Sequence, residues 1–196
     1  MTAHRTRAVV ALLALAAVAV LSTSLWGCPS SPASHFYTLS AVPSTSGAKP
    51  ASAPVHVAAV HIPPLLDRRQ MVSMTSAYSV QISETNRWSA PLDEMVRKVL
   101  AEDLVARLPA GQVILPRSPG PSGARSLVVT IAEFGPGPDG DVRLTGSWSL
   151  LAADAGAPVR ERNIAIDAGR VTSAETTAAA MSRAIGQLAD EIASAL

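Results

Sequence analysis

Cysteine is almost absent from this chain, and the single one, Cys28, lies near the amino terminus. One cysteine can form neither an intramolecular disulfide nor a cysteine-rich metal site, so neither device can stabilise the fold. Aromatic residues make up only 4% of the sequence, which argues against stacking platforms for sugars. A hydrophobic core must therefore supply the stability by itself.

An excess of one charge is also lacking. The chain has 16 basic and 15 acidic residues. Removing residues 1–27 takes away Arg5 and Arg7 and no acidic residue, which leaves a formal net charge of −1. A chain balanced in this way shows no electrostatic signature of a nucleic acid partner or of an anionic lipid surface.

Sequence marks of catalysis are missing as well. There is no phosphate-binding Gly-x-x-x-x-Gly-Lys sequence and no dinucleotide-binding glycine pattern, and Gly146-Ser147-Trp148-Ser149 falls in a predicted strand rather than a nucleophile elbow. His56 and His61 are five residues apart on a predicted strand and point to opposite faces, and His35 stands alone. A glycosidase-type pair of carboxylates would leave no sequence mark, but nothing points to one. We predict no enzyme activity, metal or cofactor.

The amino-terminal apolar segment is too short to cross a membrane. Residues 8–21 are uncharged, whereas a spanning helix needs about 20 apolar residues. The basic residues before this segment and Gly27 directly before Cys28 are typical of a bacterial lipoprotein signal, which is cut ahead of a cysteine that becomes lipidated. The alternative is an ordinary secretory signal that leaves Cys28 as a free thiol.

These features predict the organisation of the chain. We expect a signal peptide at residues 1–27, a lipidated Cys28 with its tether at residues 28–34, and one domain at residues 35–196. Two or more acyl chains give lasting membrane attachment. Pro29 and Ser30 follow the cysteine, and the absence of aspartate at that place favours the outer over the inner membrane.

Hydrophobic patterns predict the strands. Alternating apolar and polar residues indicate one packed and one solvated face, whereas apolar residues on both faces indicate a central strand. The first pattern holds across residues 142–150, and the second holds across residues 55–62. The strands predicted in this way cover residues 35–39, 55–62, 70–75, 79–82, 127–134, 142–150 and 159–168, the third and fourth forming a hairpin and the last three a meander.

Two segments have the apolar periodicity of amphipathic helices. One covers residues 89–108, with Ser89 as a possible N-cap, and the other follows a predicted capping box at residues 172–175. We predict an α+β domain with the two helices packed on one face of a mostly antiparallel sheet. On the first helix, the polar side predicted to face solvent comprises Arg97, Lys98, Glu102 and Asp103.

Two short segments are unusually rich in proline, arginine and tryptophan. Pro64, Asp67 and Arg68 follow a predicted strand, and Arg87 and Trp88 precede the first helix. Tryptophan and arginine are over-represented among the residues that dominate interfaces, so these five are candidates for docking a partner. The structural alternative is that Asp67 caps a turn and pairs with an arginine, while Trp88 packs beneath the helix.

Four motifs in order behind the lipoprotein signal resemble the PqiC/YmbA-type auxiliary lipoproteins of ABC transporters. They are Phe36-Tyr37-Thr38-Leu39, Pro63-Pro64-Leu65-Leu66-Asp67-Arg68, Arg87-Trp88-Ser89-Ala90-Pro91-Leu92, and the strand pair from Phe134 through Leu144 to Trp148. The resemblance covers residues 36–196.

The resemblance implies a non-catalytic periplasmic subunit that accompanies an ABC permease and ATPase and an MCE-domain protein that moves lipids between membranes. It also allows a ring-forming homo-oligomer, because the exposed edges of a meander suit strand addition. Two alternatives remain: a lipoprotein that itself binds a lipid or small hydrophobic ligand, and a lipoprotein that assists envelope assembly.

Overall fold

The computed structural model describes residues 32–44, 53–116, 118, 121–153 and 158–196. Cys28 and the predicted signal peptide lie outside these residues. Ser34–Leu196 form one compact unit. Its elements in chain order are β1 (His35–Tyr37), β2 (Val55–His61), β3 (Gln70–Ser76), β4 (Ser79–Trp88), α1 (Leu92–Val105), β5 (Val113–Ile114), β6 (Arg125–Pro136), β7 (Asp141–Leu151), β8 (Pro158–Arg170) and α2 (Ala174–Ala195).

The strands among the described residues form two sheets of mixed direction. The larger sheet has the order β5-β2-β6-β7-β8, and the smaller has the order β1-β4-β3. β2 lies parallel to both of its neighbours and β1 lies parallel to β4, whereas the β3–β4 hairpin and the β6–β7–β8 meander are antiparallel. The α+β class and the meander are confirmed. The sheets are mixed rather than purely antiparallel, because α1 separates β4 from the strands that flank β2 and lets the chain return in a parallel direction.

Both helices cover one face of the five-stranded sheet, as predicted. α1 packs over β2 and β5, and α2 packs over β6, β7 and β8 beside it. The apolar stripes of the two helices meet the inward-facing strand residues in one core cluster, whose largest fully buried side chain is Trp148. Among the described residues, no helix combines the length and apolar character needed to cross a membrane.

The helix starts differ from the sequence prediction by a few residues. α1 begins at Leu92 with Pro91 at its N-cap, and no side chain caps it. The Ser89 hydroxyl instead lies 3.7 Å from the Met95 sulfur. In α2 the capping residue is Ser173, whose side chain accepts from the Thr176 backbone N–H. The predicted capping box was therefore displaced by one residue, since Thr176 replaces the expected glutamate as the reciprocal partner.

Asp103 is buried rather than solvated, which corrects its predicted place on the polar side of α1. Its carboxylate accepts a hydrogen bond from the Val42 backbone N–H at 2.7 Å and lies 3.4 Å from the guanidinium of Arg107, which is itself buried. Arg107 also makes a two-pronged contact with Asp190 of α2, at 2.7 and 3.2 Å. An ion pair between the end of α1 and the residues just after it thus joins both helices to the segment at residues 38–44, which we call the strap.

The strap lies against α2 because small residues there permit close approach. The Ser40 backbone N–H donates to the Ser182 hydroxyl at 3.2 Å, and a side chain at Gly186 would lie 3.3 Å from the Val42 side chain. Arg107 donates to the Val42 carbonyl at 3.3 Å. The strap is therefore held against the helices by hydrogen bonds to three residues, Asp103, Arg107 and Ser182.

Candidate docking surface

The turn after β2 presents the first candidate residues to solvent. The Pro63 carbonyl accepts hydrogen bonds from the backbone N–H groups of Leu66 at 2.9 Å and of Asp67 at 3.3 Å. This closes a tight turn that leaves Pro64 and Leu65 outside, and the Leu65 side chain is 36% exposed. The Arg68 guanidinium donates to the Leu65 carbonyl at 2.9 Å, so it stabilises the shape of the turn.

Asp67 is exposed and has no arginine partner among the described residues. Its backbone N–H closes the turn, and the residue as a whole is exposed. The ion pair expected in the structural alternative is therefore absent from this part of the chain. Pro64, Leu65 and Asp67 form the exposed crest of the turn.

Trp88 lies inside the protein and not on a surface. It is only 3% exposed, its backbone N–H donates to the Arg69 carbonyl at 2.6 Å, and it lies opposite Tyr37 in the β1–β4 pairing. The ring lines a small internal gap together with Leu92 at the start of α1. Trp88 is therefore corrected from a direct docking residue to a core residue, because the first turn of α1 and the end of β4 close over it.

Arg87 lies beside Trp88 and is half-buried. Its Nε is buried with no hydrogen-bond partner among the described residues. It lies opposite Gln70, the first residue of β3, in the hairpin pairing. Because Trp88 is buried and Arg87 is half-buried, the five sequence candidates do not form one exposed patch.

An apolar groove of about 350 Å³ runs between the turn, the β3 strand and the end of β6. Val72 and Met74 form one wall, and residues 134–138 form the other. Its size falls in the range of small ligand sites, and it is lined chiefly by carbon. The residues at its mouth that carry charge are Glu133 and Arg143.

The arginine at the mouth of the groove is held in place by a neighbour. Asp139, in the turn between β6 and β7, accepts a hydrogen bond from the Arg143 guanidinium. That contact, helped by the Asp141 backbone N–H, lowers the pKa of the Asp139 carboxyl, so the pair stays ionised over the physiological range. The groove is therefore an apolar cleft whose lining includes an arginine that is already ion-paired.

The exposed part of the β3–β4 hairpin was missed as a functional candidate. Tyr78 at its turn is fully exposed, and Val80 and Ile82 are each more than a third exposed. The pattern that could have found them is the absence of charge across residues 71–83. The turn residues and the alternation of this segment predict only a hairpin.

Metal-ligating side chains do not cluster in the residues that the structure describes. No group of three or more histidine, cysteine, aspartate or glutamate side chains comes together in the parts of the chain that the structure describes. Burial raises the pKa of the Asp103 carboxyl. This carboxylate contacts the strap and Arg107, and it does not line the apolar groove. The surface offers shape and apolar contact rather than reactive groups.

Residues 37–193 match the family described as "ABC-type transport auxiliary lipoprotein component". The "Intermembrane transport lipoprotein PqiC" of Escherichia coli (strain K12) is 33% identical over 136 residues, which cover 67% of this chain and 72% of that protein. The protein of the same name from Shigella flexneri gives the same values. The resemblance seen in the four motifs is thus confirmed.

Two solved structures share the fold. A crystal structure of an uncharacterized protein superposes with a TM-score of 0.68 at 23% identity and covers 83% of this chain and 98% of its own. Protein XCC0632 from Xanthomonas campestris superposes with a TM-score of 0.62 at 16% identity and covers 81% and 92%. These likenesses show the architecture, whereas the sequence match reaches further: this chain belongs to the ABC-type transport auxiliary lipoprotein family, cell-envelope lipoproteins that serve transport in a non-catalytic role.

Proposed function

We propose that this protein is a lipid-anchored periplasmic subunit of an MCE-type intermembrane lipid transport system and that it docks the transporter at the outer membrane. The observation that carries the proposal is the family match across residues 37–193. The only cysteine of the chain, which follows the predicted lipoprotein signal, agrees with it. A subunit of this kind needs position and a contact surface, not chemistry. The relatives named above as intermembrane transport lipoproteins support the transport role.

The docking surface that we propose is the crest of the turn after β2 with the groove beside it. Pro64, Leu65 and Asp67 are exposed on a backbone that hydrogen bonds hold rigid, and rigid exposed residues lose little entropy on binding. Arg68 positions the turn, and Arg87 is a more distant contact candidate. An apolar side chain of the MCE partner can enter the groove. Polar residues around that side chain on the partner can then contact Asp67 and Arg143.

Site-specific photocrosslinking in cells tests this surface. A photoreactive amino acid at Leu65 or Asp67 should trap an MCE-domain protein, whereas one at Val105, which is more exposed than Leu65 and lies on α1, should not. We expect crosslinked product at Leu65 about tenfold above Val105, because a buried interface centre excludes water and holds the probe against its partner. Recovery of products that contain no MCE or transporter subunit would contradict the proposal.

The groove supports a second function, the binding of a lipid or other small hydrophobic ligand by this protein itself. Its volume of about 350 Å³ and its carbon-rich lining suit an acyl chain or another small apolar group. Native mass spectrometry of the purified protein should then show a stoichiometric adduct that Met74→Glu removes. A spectrum that shows only the mass of the ligand-free protein in mild detergent would argue against this second function.

A further inference from the structure

The outer half of the β3–β4 hairpin is exposed and carries no charge. Residues 71–83 contain no aspartate, glutamate, lysine, arginine or histidine, although 16% of the whole chain is charged. Residues 75–82 are all exposed, and Tyr78 at the turn is 100% exposed. An exposed strand pair is normally protected by charged side chains against unwanted pairing, so this hairpin omits the usual protection.

Apolar side chains of the hairpin share one face. Val72 lies opposite Ile82 and Met74 lies opposite Val80 in the antiparallel pairing, and directly paired residues project to the same side. Ser73 lies opposite Gln81 on the other side. The hairpin is therefore amphipathic without being charged, with a tyrosine at its end.

The pairing of β1 with β4 fixes the direction from which the anchored chain approaches. β1 runs parallel to β4, and His35 lies opposite Asn86. β4 runs from its start at Ser79, beside the hairpin turn, toward Trp88. The amino-terminal end of β1 therefore faces the hairpin turn, and the chain that leads back to Cys28 leaves β1 on that side.

The lengths of the two segments match. Seven residue steps separate Cys28 from His35, and seven separate Ser79 from Asn86. An extended chain covers about 3.3 Å per residue, so each segment reaches about 23 Å. A lipid group on Cys28 can consequently lie in the same plane as Tyr78, but the tether is too short for that plane to lie far beyond the hairpin turn.

We propose that the turn of the β3–β4 hairpin is a second membrane contact, which inserts Tyr78 with Val80 and Ile82 into the headgroup region of the membrane that holds the lipid anchor. This inference rests on the proposed lipidation of Cys28. The occupant of the surface is the phospholipid bilayer, because the tether length brings the turn to it and because an uncharged segment avoids the high cost of placing charge in lipid. Tyrosine is enriched at membrane interfaces, where its ring lies among apolar chains and its hydroxyl remains hydrated.

The contact adds orientation rather than primary affinity. A few side chains bind a bilayer weakly, but the anchor holds them beside it at high effective concentration. Two points of attachment restrict the tilt of the domain. The crest of the turn after β2 then stands at a fixed angle to the membrane, where a docking partner would meet it.

A fluorescence experiment on the mature lipoprotein in vesicles of phosphatidylethanolamine and phosphatidylglycerol tests the proposal. With Cys28 lipidated, a cysteine introduced by Ser79→Cys is the single thiol available to an environment-sensitive fluorophore, and Tyr78 stays in place. Val105→Cys is the matched control. Val105 is the last residue of α1, and the chain then continues to β5, which pairs with the start of β2. The hairpin instead follows the end of β2, so the two labelled positions belong to opposite ends of that strand. We expect quenching by a lipid-attached spin label to be about threefold stronger at position 79 than at 105, with the reverse order for aqueous iodide.

A second variant links the result to the tyrosine. Tyr78→Asp in the Ser79→Cys background should bring lipid quenching down toward the level at position 105, and full exposure of Tyr78 means that the fold tolerates the change. Equal iodide quenching at positions 79 and 105 would overturn the proposal. Protection from iodide without quenching by lipid would also overturn it, because a second copy of the protein would then cover the turn. Flotation of the protein with vesicles tests the lipid anchor separately from the hairpin. Crosslinking to an MCE-domain protein tests the proposed function separately from both.

Discussion

Replacing Cys28 with alanine is expected to move the protein from the membrane fraction to the soluble periplasm and to abolish its function in transport. Each buried methylene of an acyl chain contributes about 0.8 kcal/mol to membrane binding, so loss of two or more chains removes nearly all of the attachment. The described part of the chain has no helix able to replace the anchor. Cell fractionation and a growth assay under envelope stress measure the two effects.

The fold should survive this change. Cys28 lies outside the compact unit Ser34–Leu196, so the thermal unfolding of the soluble variant should match that of the anchored protein in detergent within about 2 °C. Ser30→Ala is the matched control, since it alters the adjacent tether and keeps the lipidated cysteine. A Cys28→Ala protein that is released and still fully functional would show that the anchor is not part of the mechanism.

Replacing Arg107 with methionine is expected to destabilise the fold by about 3–5 kcal/mol. Methionine keeps much of the side-chain volume, but it removes every donor that joins Asp103, Asp190 and the Val42 carbonyl. The Asp103 carboxylate, which is fully buried, then has no cation beside it. Urea unfolding followed by circular dichroism measures the loss.

The pH dependence of this loss follows from Asp103. Burial raises the pKa of its carboxyl above the usual value of an aspartate, so the folded state binds a proton more readily than the unfolded state does. Stability from this group is therefore present at low pH and falls as pH rises through the folded pKa. Because Arg107 opposes that rise in pKa, its removal should cost more stability at pH 7 than at pH 4.

An exposed ion pair on the same helix provides the control. Lys98 and Glu102 lie 2.9 Å apart at the same spacing as Asp103 and Arg107, but both are well exposed. Lys98→Ala should change the unfolding free energy by no more than about 0.5 kcal/mol at either pH. A loss below about 1 kcal/mol for Arg107→Met would mean that water enters the cluster and that the strap is not held by it.

The contrast between these two pairs shows where sequence patterns stop being informative. Lys98, Glu102 and Asp103 all fall outside the apolar stripe of α1, and the pattern treats them alike. The strap and α2 cover only one of them, and both come from distant parts of the chain. Trp88 illustrates the converse case, since a tryptophan beside an arginine has the composition of an interface residue and yet lies in the core.

The candidate surface was accessible to sequence analysis only in part. Pro64 and Asp67 are exposed on the turn that the prolines predict, because the Pro63 carbonyl organises it locally. The groove beside the turn could not be foreseen, since Val72 and Met74 line it together with residues 134–138, which are sixty or more positions away in sequence. The motifs themselves sufficed for the family, because their order along the chain carries information that no single motif has.

The sequence by itself determined the elements and the class of the protein. Period-2 and helical repeats of apolar residues are local properties of the chain, and they placed both helices and the meander within a few residues of their observed bounds. Scarce cysteine, balanced charge and absent motifs argued against disulfides, a nucleic acid partner and a nucleotide-binding site before any contact was known.

Only the tertiary structure decided the parallel pairing of β2, the burial of Asp103 and Trp88, and the direction in which β1 meets β4. Each of these depends on which distant segment covers a residue, and hydrophobic periodicity specifies that a face is buried without specifying its partner. The direction of β1 matters most for function, because it sets the side of the domain from which the anchored chain leaves and hence which loop we expect at the membrane.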